Sequence, residues 1–219
     1  MGASRGPFEP EFSELPGRIP IFPLSGALLL PGGRLPLNIF EPRFLCMVRD
    51  AMTQPHRLIG MIQSRDDSEE DSLYDVGCAG RISNYSETDD GRILITLSGT
   101  ARFRLLDFDD GAGGYRLARV SWSEFKSDLM PSETEIGREH LIDVLRQYFK
   151  LKGYTVDWDH LQDCEDEKLV STLSMICPFE IPEKQALLES TDLTSRSELL
   201  IAILEMASHS EHDEQGAKH

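Results

Sequence analysis

The spacing of apolar residues changes once along this chain, near Pro131. Before that proline, short apolar runs of strand length are interrupted by Gly, Pro and Asp, and after it apolar residues recur at helical intervals. The first pattern is typical of β-strands and the second of amphipathic helices. A run of strands followed by a run of helices predicts an α+β fold.

The first half, residues 18–130, predicts a mostly antiparallel β-barrel. Its turns include Asp89-Asp90-Gly91, whose Asp-Gly pair is a strong hairpin signal, and the glycine-rich residues 111–114. The apolar runs that precede these turns include residues 19–24, 28–30 and 35–40. Because closure removes exposed sheet edges, a set of short strands of this kind predicts a closed or nearly closed barrel.

Three segments depart from the plain strand pattern. The run at residues 19–24 contains Pro20 and Pro23, which cannot donate to a ladder, so we expect it at a sheet edge or as the opening strand of the barrel. Residues 42–52 carry apolar residues at helical spacing behind a proline, which predicts one short helix. Residues 64–72 are acidic and lack a packing face, so they are predicted to form a mobile loop.

The second half, residues 131–207, predicts a small helical bundle. Its helix boundaries are indicated by a capping-box pair, a terminating glycine, an initiating proline and a second capping pair, at Ser132 with Glu135, Gly153, Pro182, and Ser195 with Glu198. The segments outside both halves are polar. Residues 1–17 are interpreted as an extension, and residues 208–219 as a disordered acidic tail.

Charge and cysteine content narrow the classes of function. The chain carries 38 Asp and Glu against 22 Lys and Arg, a formal net charge of -16, which disfavours attraction to nucleic acid and to anionic membranes. The four cysteines form no Cys-x-x-Cys pair, and we interpret them as buried free thiols. Because no signal peptide or membrane-spanning run is recognised, a cytoplasmic location is expected.

The sequence indicates no catalytic residue, cofactor or metal. It contains no Gly-Lys dipeptide, so the standard phosphate-binding loop of nucleotide-driven motors is excluded. The six histidines and the acidic runs lack the spacing of a zinc or calcium site. Recognition of a partner is therefore the more promising class of function.

One short segment combines aromatic and charged side chains where a strand is predicted to meet a helix. Phe40 and Phe44 enclose Glu41 and Arg43, which makes these four residues candidates for a partner-binding surface. In the alternative and favoured interpretation, both phenylalanines anchor the helix in the core, while Glu41 and Arg43 cap the helix or pair locally.

The order of several segments resembles the N-terminal substrate-binding domain of the ATP-dependent Lon protease. The matching segments are residues 19–24 (IPIFPL), 30–32 (LPG), 35–43 (LPLNIFEPR), 73–82 (LYDVGCAGRI), 93–104 (ILITLSGTARFR) and 182–189 (PEKQALLE). The resemblance runs from about residue 19 to residue 207, nearly the whole chain. The combined order is far more specific than any single segment.

This resemblance implies a PUA-like β-barrel followed by an α-helical bundle. It also implies binding of proteins or unfolded peptide segments, in an adaptor or regulator of proteolysis or quality control. In that family the ATPase and the peptidase lie downstream of this region, so no catalytic residue is carried over. Whether a separate Lon protease is a partner is left open by the resemblance.

Two other classes of function remain as alternatives. Related barrels hold RNA, and a local patch of arginines would escape the average acidity of the chain if it included Arg81, Arg102, Arg104, Arg116 and Arg119. Such a patch would need arginines without carboxylate partners. A small-molecule enzyme would instead need a buried polar pocket with a titratable group whose pKa is strongly shifted.

Overall fold

The computed structural model describes residues 10–65, 72–130, 136–155, 158, 161 and 163–216, the last seven by their backbone alone. The strands are β1 Arg18–Pro23, β2 Arg34–Ile39, β3 Leu58–Ile62, β4 Val76–Glu87, β5 Ile93–Asp110 and β6 Arg116–Ser121. The helices are α1 Pro42–Thr53, α2 Arg138–Lys152, α3 Asp166–Ile176, α4 Ile181–Glu189 and α5 Leu193–Gly216. Short 3-10 helices occur at Phe12–Glu14 and Ser123–Leu129.

The six strands form one sheet, in which five strands close into a ring and β2 pairs with β5 outside it. Their order is β2-β5-β4-β3-β1-β6, and a further pairing of β5 with β6 completes the ring. β1 and β3 run parallel, and the other neighbouring pairs are antiparallel. Closure is possible because β5 is long: its first half pairs with β2 and its second half with β6. The predicted α+β fold with a mostly antiparallel barrel is confirmed.

Gly99 lies where β5 changes partners. A Cβ atom at this position would come within 1.9 Å of the Leu30 carbonyl oxygen, so a larger residue would require the backbone to move. The Gly99 N–H donates to the Gly33 carbonyl (2.8 Å), and the Gly99 carbonyl accepts from the Gly32 N–H (3.0 Å). These contacts hold the loop before β2 against β5 and thereby position β2.

Buried apolar side chains form two clusters. The smaller one fills the barrel and includes Phe103 and Trp122, whose ring centroids lie 6.0 Å apart. The larger one includes Phe44 from α1, Ile95 from β5 and Leu200 from α5. Because the larger cluster contains side chains from both halves of the chain, the helical bundle packs directly on the barrel.

Several helix boundaries follow the signals in the sequence. Pro42 and Pro182 lie in the first turns of α1 and α4, and Gly153 follows α2 with a φ of 69°. Proline in a first turn loses no intrahelical hydrogen bond, and glycine tolerates the left-handed conformation that ends α2. Glu180 and Glu183 add a capping box to α4.

Two apolar runs, residues 28–30 and residues 19–24, differ in whether they pair with a strand. The strand predicted at residues 28–30 is wrong: these residues are buried but lie in a loop. Apolar character records burial, whereas a strand also needs a neighbour with which to pair. The run at residues 19–24 is the opening strand of the barrel and not an edge, since β1 pairs with both β3 and β6.

Both ends of the last helix differ from the prediction. α5 begins at Leu193, and the Asp192 carboxylate accepts a hydrogen bond from the Ser195 N–H at 2.8 Å. Asp192 is therefore the N-cap in place of Ser195. α5 continues to Gly216, whereas the sequence predicts disorder from residue 208. Extending an existing helix costs far less free energy than nucleating one, so a helix can continue into polar residues. The apolar pattern of the sequence does not predict such an extension.

The remaining structural predictions have mixed outcomes. Cys78 and Cys177 are buried free thiols as predicted, whereas Cys46 and Cys164 are partly exposed. Ser132, Glu135 and residues 66–71 of the predicted mobile loop lie outside the described residues. Among the helices that are described, none is long and apolar enough to cross a membrane.

Candidate partner-binding surface

The four candidate partner-binding residues separate into one buried and three accessible side chains. Phe44 is 6% exposed and packs on Phe22, with ring centroids 4.1 Å apart. Phe40 is 62% exposed. Glu41 and Arg43 pair with each other, Oε2 to Nε, at 3.1 Å. Phe44 therefore anchors α1 in the core, and Phe40 does not.

The start of α1 explains this separation. The helix begins at Pro42, so Phe40 lies just before it and Phe44 lies in its first turn. The buried face of α1 contains residues at helical spacing, namely Phe44, Met47, Val48 and Ala51. Phe40 lies outside this stripe and continues from the outward side of β2.

Phe40 adjoins a group of uncharged side chains on one face of the sheet. Alternate residues of a strand share one face, and the outward positions of β2 and of the first half of β5 include Pro36, Asn38, Leu94, Thr96 and Ser98. These five are uncharged, whereas Arg34, the first outward residue of β2, is exposed and charged. Leu94 is 41% exposed and lies opposite Asn38. We define the β2 edge surface as Pro36, Asn38, Phe40, Leu94 and Thr96.

Two arginines that border the β2 edge surface are paired with carboxylates. The Arg92 guanidinium lies over the Phe40 ring, with Cζ 5.8 Å from the centroid, and its Nε lies 2.9 Å from Asp90 Oδ2. Arg43 is paired with Glu41. Exposed pairs of this kind contribute little to stability. Exposed apolar area therefore distinguishes this surface, with Arg34 as a further charge at the start of β2.

A buried polar cluster between barrel and bundle was not predicted from the sequence. Arg102 on β5 forms an ion pair with Asp128, Nη2 to Oδ1 at 2.6 Å, with both side chains less than a tenth exposed. Arg102 also donates to the Leu188 carbonyl near the end of α4 (3.1 Å). Arg196 on α5 donates from Nε to the Leu187 carbonyl (2.9 Å). We define Arg102, Asp128 and Arg196 as the junction cluster.

Further hydrogen bonds cross the same junction. Gln63 Nε2 donates to Gln185 Oε1 (3.0 Å), and Gln185 Nε2 donates to the Val76 carbonyl (3.1 Å). Lys184 Nζ donates to the Gly26 carbonyl (2.6 Å). These contacts tie α4 to the barrel. In the sequence, these hydrogen bonds are indicated only by charged and amide side chains within otherwise apolar segments. That placement does not show which group each side chain bonds to.

Burial dominates the electrostatics around the junction cluster. Burial lowers the pKa of Arg196 to about 10, and the neighbouring Arg102 contributes to the same shift. Burial likewise raises the pKa of the Cys78 thiol, with Asp128 adding to the effect. A buried neutral thiol is a poor nucleophile. The arrangement is suited to fixing the bundle on the barrel, and it does not favour nucleophilic chemistry.

Most of the arginines considered for nucleic-acid binding are paired with carboxylates. Three of them are paired with carboxylates: Arg102 with Asp128, Arg104 with Glu124, and Arg119 with Asp107. Arg116 lies over the Phe108 ring, with Cζ 5.0 Å from the centroid. Paired cations release fewer counterions when they meet a phosphate, so this arrangement argues against the nucleic-acid alternative.

Titratable groups outside the junction cluster are also held in internal hydrogen bonds. Burial, with the nearby Asp50, raises the pKa of Tyr115 to about 12, and the Tyr115 hydroxyl donates to that carboxylate at 2.8 Å. Burial lowers the pKa of Lys184, whose ammonium donates to a backbone carbonyl. Over the described ranges, no group of three or more His, Cys, Asp or Glu is placed to hold a metal ion.

The chain matches a known family over most of its length. The family model of the ATP-dependent protease La (LON) substrate-binding domain matches residues 18–206. Lon protease 2 of Myxococcus xanthus is 28% identical over 198 residues, which are 87% of this chain and 24% of that protein. The Lon protease of Anaeromyxobacter dehalogenans is 26% identical over 87% of this chain and 23% of that protein. The chain thus spans about a quarter of the length of these relatives.

Solved structures show the same architecture. A Lon N-terminal domain protein from Xanthomonas campestris aligns with a TM-score of 0.59 and 26% identity, covering 84% of this chain and 97% of that one. The N-terminal domain of the Mycobacterium avium complex Lon protease aligns with a TM-score of 0.57 and 18% identity, covering 86% and 98%. At 18% identity, the similarity to the Mycobacterium avium complex domain shows only that the two chains share a fold.

Proposed function

Because this chain belongs to the family of Lon (ATP-dependent protease La) substrate-binding domains, we propose that it recognises protein substrates and does not itself cleave them. The observation that carries this proposal is the family match over residues 18–206, which includes both the barrel and the bundle. The matched family is the substrate-binding domain, and neither an ATPase nor a peptidase is matched. The proposed clients are proteins with exposed or unfolded segments.

The β2 edge surface supports this proposal and is its proposed binding site. Unfolded chains expose apolar side chains that folded proteins bury. Phe40 and Leu94 present apolar area to solvent among the uncharged side chains of the β2 edge surface, and such exposed patches are typical of interaction sites. The net charge of -16 keeps copies of the chain apart while this patch stays exposed.

Binding of a permanently unfolded acidic protein tests the proposal. Reduced and alkylated α-lactalbumin, labelled with a fluorophore, is titrated with the chain and followed by anisotropy, with the native form as the control for charge and composition. We expect the unfolded form to bind and the native form not to bind. Equal binding of both forms, or of neither, would overturn the proposed function.

Paired substitutions locate the binding surface. Exchanging Phe40→Ser together with Leu94→Ser should weaken binding about tenfold, a loss of about 1.4 kcal/mol. The matched control is Leu106→Ser, because Leu106 is 53% exposed but lies in the half of β5 that pairs with β6. Equal effects in the two variants would place the binding surface elsewhere.

We also propose that recognition serves an adaptor or regulatory role beside a separate Lon protease. Support for this comes from the family match, since the relatives of this chain are Lon proteases. In a degradation assay with a purified Lon protease, an adaptor should accelerate breakdown of the unfolded probe, and a sequestering regulator should slow it. The Phe40→Ser, Leu94→Ser variant should reduce either effect, and an unchanged degradation rate would remove this role.

A further inference from the structure

The outer edge of β2 has no neighbouring strand in the part of the chain that the structure describes. β2 stands at the end of the strand order and pairs with β5 alone. The ring closes through β5 and β6, which leaves β2 outside it. An edge strand presents unpaired backbone N–H and C=O groups, and these form a template for another extended chain.

Hydrogen bonds on both sides of β5 show which groups of β2 point outward. The Gly99 N–H donates to the Gly33 carbonyl, so these two residues face each other through their hydrogen-bonding groups. Bonded and non-bonded pairs alternate along an antiparallel ladder, which makes Pro36 and Thr96 a non-bonded pair. In agreement, the Thr96 carbonyl accepts from Ser83 Oγ on β4 (3.1 Å) and thus points away from β2.

Arg34, Pro36 and Asn38 therefore direct their backbone groups to the outer edge. All three residues are exposed, and their outward groups make no backbone hydrogen bond within the described ranges. The edge offers three carbonyls, together with the N–H groups of Arg34 and Asn38, because proline has no N–H. Pro36 at the centre of this edge disfavours pairing between the β2 strands of two copies of the chain. The backbone groups of Arg34 and Asn38 remain available to a peptide that binds transiently.

We propose that client segments bind as an added β-strand along the outer edge of β2, and that the preferred segments are extended, uncharged and apolar at alternate positions. This inference rests on the proposed function and specifies its substrate class. Backbone pairing supplies affinity without requiring a particular sequence. The uncharged side chains of the β2 edge surface, beyond Arg34, select against charged segments, which would lose solvation there without gaining a partner.

A backbone-modified peptide distinguishes strand addition from simple apolar contact. The probe is a labelled octapeptide of Thr and Val with blocked ends, in two N-methylated versions that carry methyl groups on the odd or on the even residues. In an added strand, only one set of N–H groups faces β2. One version should therefore lose binding at least tenfold, and the other should stay within about threefold of the unmodified peptide. Equal losses, or no loss in either version, would overturn the inference.

Substitutions in β2 provide the complementary test. Asn38→Pro removes a second outward N–H while leaving the groups that bond to β5, and should weaken octapeptide binding at least tenfold. Asn38→Thr keeps that N–H and is the matched control. Pro36→Thr restores an outward donor and should tighten binding severalfold, so the proposal is also tested by a gain that misfolding cannot imitate. Unchanged affinity in Pro36→Thr would contradict it.

The outcomes separate this inference from the function on which it rests. If the unfolded protein binds but the octapeptide does not, or if it binds with no effect of Asn38→Pro and Pro36→Thr, substrate recognition stands and strand addition is wrong. If the unfolded protein binds no better than its native form, both proposals fail together. Tight binding of an octapeptide with two Val replaced by Glu would contradict the preference for uncharged segments.

Discussion

The junction cluster and the β2 edge surface use polar groups in opposite ways. In the junction cluster, Arg102 and Asp128 are almost fully buried and satisfy each other, and Arg102 also bonds to the backbone of the bundle. At the β2 edge surface, side chains are uncharged and the outward backbone groups are unpaired within the described residues. One region holds the two halves of the chain together, and the other remains open to a partner.

This difference shows why charge is a poor guide to recognition in this chain. Buried charges must be paired, because the cost of removing them from water is large. Exposed charges such as Arg104 and Arg119 are paired as well. The surface left for binding is then defined by exposed apolar area and by free backbone groups, and neither of these is visible in a charge count.

Breaking the junction cluster should have the largest effect on stability. Arg102→Met leaves the buried Asp128 carboxylate without its ion-pair partner, and the free energy of unfolding should fall by about 3–5 kcal/mol. Denaturant unfolding measures this change. The double variant Arg102→Met, Asp128→Asn should recover part of the loss, because it no longer buries a carboxylate that has lost its ion-pair partner. A single-variant loss below about 1 kcal/mol would contradict the structural role of the cluster.

The two phenylalanines flanking the start of α1 should differ by a smaller amount. Phe44→Ala removes a buried ring that packs on Phe22, so the free energy of unfolding should fall by about 3 kcal/mol. Phe40→Ala should change it by less than about 0.5 kcal/mol, since the ring is exposed. Thermal or denaturant unfolding of the two variants tests this order. Similar losses would mean that Phe40 is part of the core and not of the β2 edge surface.

Cys78 gives the junction a pH dependence that the β2 edge surface lacks. Burial raises the pKa of its thiol above the ordinary value of 9.0, and Asp128 adds to this rise. Arg102 and Arg196 oppose the rise without cancelling it. Below about pH 9 the thiol is protonated in both folded and unfolded states, so its contribution to stability is complete. At higher pH the unfolded state releases the proton first, and the free energy of unfolding falls by up to about 1.4 kcal/mol per pH unit.

Unfolding between pH 8 and 11 tests this dependence. Cys78→Ala should flatten the fall relative to the unsubstituted chain, leaving only the slope from other groups such as Cys177, whose pKa burial raises to about 11. Octapeptide affinity, compared among folded molecules, should not follow the same slope. An identical pH dependence of stability in both chains would contradict the burial of a neutral thiol.

Much of the fold follows from local signals in the sequence. The change of period near Pro131 separates strands from helices, and Pro42, Gly153 and Pro182 mark helix boundaries where the structure has them. These signals succeed because proline and glycine act on their own backbone. The burial of residues 28–30 without strand pairing, and the continuation of α5 to Gly216, depend on more distant context and on helix propagation.

The candidate site was predictable only in part. Sequence identified the segment from Phe40 to Phe44 but could not separate the exposed ring from the buried one, because both aromatics fit a core equally well. Leu94 was not named as a candidate, because a single outward apolar residue on a strand is not by itself a functional signal. Its exposure follows from its even position beside the buried Ile93 and Ile95.

The sequence by itself determined the class of fold, the resemblance to a substrate-binding family and most helix boundaries, because these depend on local backbone preference and on the order of segments. Tertiary structure alone decided that β5 closes the ring without β2, that Arg102 pairs with Asp128, and that Leu94 lies opposite Asn38. Each of these depends on which distant residues the closed sheet brings together. That pairing is a property of the whole barrel, so no single segment of the sequence records it.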